Sequence, residues 1–73
     1  MKPKDKKIIE DAEKNNIPVF VFTAKDSLAL RQLVNYRHDC HHAGCSQEHC
    51  EGIEQRIDEW IRWQQENKIK LPD

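Results

Sequence analysis

No run of apolar residues in this chain approaches the roughly 20 needed to cross a bilayer, and its 73 residues include only two glycines and three prolines. The first shortage excludes a membrane-spanning helix. The second excludes a collagen-like or low-complexity chain. Charge of one sign is also lacking. Twelve basic and 13 acidic side chains leave a formal net charge of −1, so nothing pulls the chain toward phosphate at long range and non-specific nucleic-acid binding is disfavoured. Three cysteines, an odd number, do not close a disulfide framework, and the basic opening MKPKDKK leads into IIEDAEKNN, not the apolar core of a secretory signal. The expectation is a cytoplasmic protein with reduced thiols.

What is present is helix-rich: 37% apolar and 34% charged residues, mixed along one small domain. A chain of this length hides only about 60% of its unfolded surface, so its core is thin and calls for a metal, a disulfide or a second copy of the chain.

Residues 1–16 read as a short helical arm, with Ile8, Ile9 and Ala12 on one side and Asn15-Asn16 as a stop. Residues 17–23 open with Ile-Pro-Val-Phe-Val-Phe and read as a strand, too short for a helix and too apolar for an exposed loop. Pro18 cannot donate to a ladder and so belongs at the strand's start or edge. The strand's mate is either the extended tail 68–73, through Lys68-Ile69-Lys70-Leu71, or another copy of the chain.

Thr23 to Asp26 reads as a variant capping box opening a helix over 24–43, with Ala29, Leu33, Tyr36, Cys40 and Ala43 on its inner stripe, Leu30 and Val34 widening it, and Gly44 as a left-handed C-cap. Ser46 caps a second helix over 47–67, whose stripe is Cys50, Ile53, Ile57, Trp60 and Gln64. With only Gly44, Cys45 and Ser46 between them, the two helices must double back as a long antiparallel hairpin.

Every histidine and cysteine lies between positions 38 and 50: His38, Cys40, His41, His42, Cys45, His49 and Cys50. Two accounts fit this concentration. In one, Cys40, Cys45 and Cys50 with His49 or His41 supply the four nitrogen or sulfur donors of a structural zinc site at the closed end of the hairpin, although Cys-x4-Cys-x4-Cys is not the usual paired spacing. In the other, no cofactor is bound: Cys40 and Cys50 act as small hydrophobes in the seam, and the histidines are solvated near the negative end of a helix. Catalysis by a cysteine and a histidine is disfavoured, because a 73-residue hairpin offers little concavity.

The order strand, helix, turn, helix also matches a ribbon-helix-helix DNA-binding regulator, but base-reading ribbons expose polar side chains and Val19, Phe20, Val21 and Phe22 include none. Trp60 belongs to the seam, whereas Trp63 lies at the margin of the stripe and is a candidate interface anchor.

The run Ile17-Pro-Val-Phe-Val-Phe-Thr-Ala-Lys-Asp26, then Gly52-Ile-Glu-Gln-Arg-Ile-Asp-Glu-Trp60 and a closing Lys70-Leu-Pro-Asp73, resembles small helical proteins encoded by bacteriophages and prophages. The resemblance covers residues 17 to 73 and implies no catalytic residues. By analogy it implies a protein that binds and disables a host protein in the host cytoplasm. The sequence therefore predicts a mainly α protein: a short N-terminal helix, one extended β segment and a long antiparallel helical hairpin, assembled as a homodimer. Its expected work is non-catalytic protein binding through Phe20, Phe22 and Trp63, with the first two also available for self-association. A zinc-stapled module and a DNA-binding regulator are the alternatives.

Overall fold

In the computed structural model, which describes residues 1–67, three helices follow one another: α1 (Pro3–Lys14), α2 (Ala29–Ala43) and α3 (Gln47–Glu66). The fold is mainly α, and α2 packs on α3 as a helical hairpin. Its antiparallel sense shows in the cross-helix pairs. Tyr36 and Arg37, late in α2, meet His49 and Glu54 in the first half of α3, whereas the Gln64 amide, near the end of α3, reaches the carbonyl of Ala24 ahead of α2. No helix among the described residues is long and apolar enough to cross a membrane.

The turn forms for local reasons. Gly44 sits at φ 80, a left-handed geometry that costs any residue with a Cβ, and its N–H and that of Cys45 satisfy carbonyls of the last turn of α2. Ser46 then takes extended backbone, and its Oγ accepts the His49 N–H at 3.2 Å. Both caps stand where the sequence placed them.

The seam is narrow. Cys40, Cys50, Ile53 and Ile57 are buried together, with Leu30, Leu33 and Val34 packed against them. Ala12 and Ala29 are the other buried apolar residues among those described, and no large side chain is fully enclosed. Each isoleucine removed from water contributes roughly 1.5–3 kcal/mol, so a few side chains carry the hairpin. The expected stripe is thus realised at Ala29, Leu33 and Cys40 but not at Tyr36 and Ala43, which are exposed, and Trp60 is half-buried instead of core. The hairpin diverges from the ideal seam at these positions.

Two expectations need correction. Residues 17–23 form no strand: they lie in no regular element and are exposed. Within one chain no described segment pairs with them, so the ladder on which a strand depends does not form. The second helix starts at Ala29, not at residue 24. Its N-cap position is Leu28, whose side chain cannot cap, and the Asp26 Oδ1 just before it accepts the N–H groups of Leu28 at 2.8 Å and Ala29 at 3.2 Å, while Thr23 offers only its backbone carbonyl to Asp26. The expected tail at 68–73, and its pairing through Lys68–Leu71, lie outside the described residues.

The arm α1 is tied to α3 chiefly by charge. Pro3 occupies its first turn, where a missing N–H costs nothing, and Ala12 is its only buried residue. Arg56 grips Asp5 through both guanidinium nitrogens, one of them at 2.9 Å, and Lys2 reaches Glu59 at 2.7 Å. The Arg56 hydrogen bond holds the Asp5 carboxyl below the ordinary range, against a smaller push from desolvation, and the Lys2 hydrogen bond does the same for Glu59. Both pairs are at least a third exposed or nearly so, hence each contributes about 1 kcal/mol or less.

Depressed carboxyl pKa values give stability that is complete above the unfolded value of about 4 and disappears as pH falls through the folded one. We therefore expect hydrogen exchange in α1 to accelerate below about pH 4 before exchange in the seam does; simultaneous loss of protection would contradict an ionic tie. The two glycines should respond with opposite signs. Gly44→Ala must hold a Cβ at φ 80 and should destabilise by about 1–2 kcal/mol, whereas a Cβ at Gly52, within α3, meets nothing within 4 Å and should stabilise by about 0.5–1 kcal/mol in urea unfolding.

Candidate functional site

The close of the hairpin brings chemistry together from three pieces of backbone. Cys40 comes from the last turn of α2, Cys45 from the linker, and His49 from the first turn of α3. One ligand atom from each lies within 4.8 Å of those of the other two, so these three residues are close enough to hold a metal ion. Cys40 is buried, while Cys45 and His49 are exposed. All three cysteines are free thiols.

Of the four donors expected from the sequence, Cys50 does not join this group. It is only 3% exposed and turns into the seam beside Ile53 and Ile57, where a thiol behaves as a small hydrophobe. His41 lines a shallow open groove of about 440 Å³ with Cys45, Gln47, Cys50, Glu51 and Glu54. His38 and His42, one helical turn apart on α2, pack edge to face with ring centres 4.4 Å apart. The cluster thus sorts into three convergent donors, a core thiol and solvent-side imidazoles.

The neighbouring Cys40 thiol pushes the Cys45 thiol above its ordinary range, helped by desolvation and by the Cys50 sulfur. The Tyr36 phenol is raised in the same way, first by Cys40. Tyr36 also places its hydroxyl 3.4 Å from Nε2 of His49. Sequence reasoning assigned Tyr36 to the inner stripe and missed this role, although its position one turn before Cys40 puts both on the same side of α2.

The second feature is apolar. Ile17, Val19, Phe20, Val21 and Phe22 are all exposed, Phe20 by 82%, and the two phenylalanine rings meet edge to face with centroids 4.9 Å apart. The hydrogen bond from Gln64 to the Ala24 carbonyl, 3.1 Å long, anchors the exit of this segment at the far end of α3. Trp63, half-buried, stands one residue from that anchor, with its carbonyl accepting from the Asn67 amide at 2.8 Å. Trp63 thus stands near the open end of the hairpin, where the exit of the apolar segment is tied.

The burial pattern sets reactivity. In reduced, metal-free protein, iodoacetamide should modify Cys45 alone under native conditions and reach Cys40 and Cys50 only as urea opens the seam. Equal modification of all three without denaturant, read by mass spectrometry, would show that the seam does not protect them.

No protein-family model, no curated protein and no solved structure matches the chain, so the reading of its site rests on the residues themselves.

Proposed function

We propose that this chain is a non-catalytic protein-binding module whose docking element is the apolar stretch from Ile17 to Phe22. The exposure of five large apolar side chains in six consecutive residues is the observation that carries the reading. Leaving them in water forgoes roughly 1.5–3 kcal/mol for each fully buried on contact. A segment that lies in no regular element is suited to adding a strand to the sheet edge of another protein, with alternate side chains filling pockets. Phe20 and Phe22, two residues apart, would share one face of such a strand, and Trp63 is a further aromatic contact residue in this proposal.

The same segment suits a second copy of the chain, and a homodimer built on it is part of this proposal. The resemblance to phage-encoded proteins directs the search for a partner to a bacterial host protein in the cytoplasm. A catalytic role is not part of this proposal, because a cysteine nucleophile works in a pocket with an orienting group and Cys45 lies on an open groove. A DNA-reading ribbon is likewise disfavoured, because residues 17–22 carry no polar side chain for base edges.

The test places a photo-crosslinking phenylalanine analogue at position 20 of the full chain in bacterial lysate and, separately, measures self-association by sedimentation. One defined adduct is expected, either with a host protein or with a second copy. Phe20→Asp should weaken that association by at least about tenfold. Association unchanged by Phe20→Asp and Phe22→Asp would overturn the reading, as would an absence of any discrete adduct.

A further inference from the structure

We propose that Cys40, Cys45 and His49 form a binding site for one zinc-class metal ion, with the fourth coordination position open to a donor from outside the hairpin. The donor chemistry sets the class of ion. Two sulfurs and an imidazole nitrogen suit zinc and similar borderline-soft metals, whereas calcium and magnesium take oxygen. A tetrahedral ion with bonds of about 2.0–2.3 Å holds its ligand atoms roughly 3.6–3.8 Å apart. The three atoms lie within 4.8 Å of one another, so side-chain rotation of about 1 Å closes the site without moving a helix.

Packing gives no reason for two of these residues. Cys40 belongs to the seam and would be there without a metal. Cys45 and His49 are exposed, so neither fills a core position. The chain nevertheless places a thiol directly after the left-handed Gly44, where the backbone brings it back toward Cys40: the Cys45 N–H donates to the Cys40 carbonyl at 3.0 Å. Ser46 caps α3 through the His49 N–H and so fixes the backbone of the third donor. Tyr36 supplies an outer partner. Its hydroxyl stands 3.4 Å from Nε2, so a His49 that ligates through Nδ1 keeps a hydrogen-bonding neighbour on its other nitrogen. Cys50 is held in the seam, which leaves three protein ligands and one position facing solvent.

The site would bridge the end of α2, the linker and the start of α3. Metal binding would therefore clamp the turn of a hairpin whose core is small, and ligand binding free energy would appear as folding stability.

The experiment titrates the reduced full chain with zinc against a chromophoric chelator, and repeats it with cobalt as a spectroscopic probe. One ion per chain is expected, with a tetrahedral cobalt spectrum showing thiolate charge transfer and a zinc-dependent rise in thermal midpoint that chelator reverses. Cys45→Ser and His49→Ala, both at exposed positions, should weaken binding at least about 100-fold. Cys50→Ala and His41→Ala should bind within about threefold of the parent. Failure to bind zinc more tightly than about micromolar, or parent-like binding by Cys45→Ser or His49→Ala, would overturn the site. Loss of binding in Cys50→Ala, with helicity retained, would overturn the open fourth position.

Discussion

The turn at Gly44 is the constraint on which the rest of the structure depends. Its left-handed backbone ends α2 and lets Ser46 start α3 two residues later, so the inner faces of the two helices meet from the first turn onward. Cys40 and Cys50, ten positions apart in the chain, share one buried cluster for this reason. A longer or looser connection would leave the same apolar residues in place but release their register. Because so few side chains are buried, the hairpin draws its definition from turn geometry and capping as much as from hydrophobic area.

What the sequence made legible follows from the range of each interaction. Gly44, Ser46 and the spacing of Cys50, Ile53 and Ile57 are local signals, and the mainly helical fold and its hairpin follow from them. The grip of Arg56 on Asp5 joins residues 51 positions apart and has no periodic signature, so the docking of α1 could not be anticipated. The capping signal at Thr23 misleads about the start of α2, because Thr23 to Asp26 closes a turn of its own ahead of the helix and Asp26 bonds to the N–H groups of Leu28 and Ala29. The segment 17–23 misled for a different reason. Its composition describes a fit to a pleated surface, and β propensity forms no strand where no partner strand is paired with it. For the donors, spacing identified Cys40, Cys45 and His49 as members of a group but could not show that Cys50 turns away into the seam.

The metal-type donors gather at the start of α3, whereas the exit of the apolar segment is tied near its last turn. His49 is in the first turn of α3 and Gln64 near its last, a separation of roughly 22 Å at the helical rise per residue. Metal occupancy and partner binding can then be separated by substitution at either end.

The ionic tie of α1 and the apolar seam of the hairpin also differ in their response to solvent. Salt screens exposed charge pairs within a Debye length of about 10 Å at 0.1 M, whereas strongly hydrated salts strengthen apolar burial. Raising ionic strength thus loosens the arm while tightening the body. What the arm uncovers is an open trough of about 520 Å³ between itself and the hairpin, bordered by Ile8, Leu33 and Ile53 and floored in part by the bare backbone of Gly52. Two carboxylates, and with them the ionic composition of the medium, thereby bear on how firmly the arm walls that mixed polar and apolar trough.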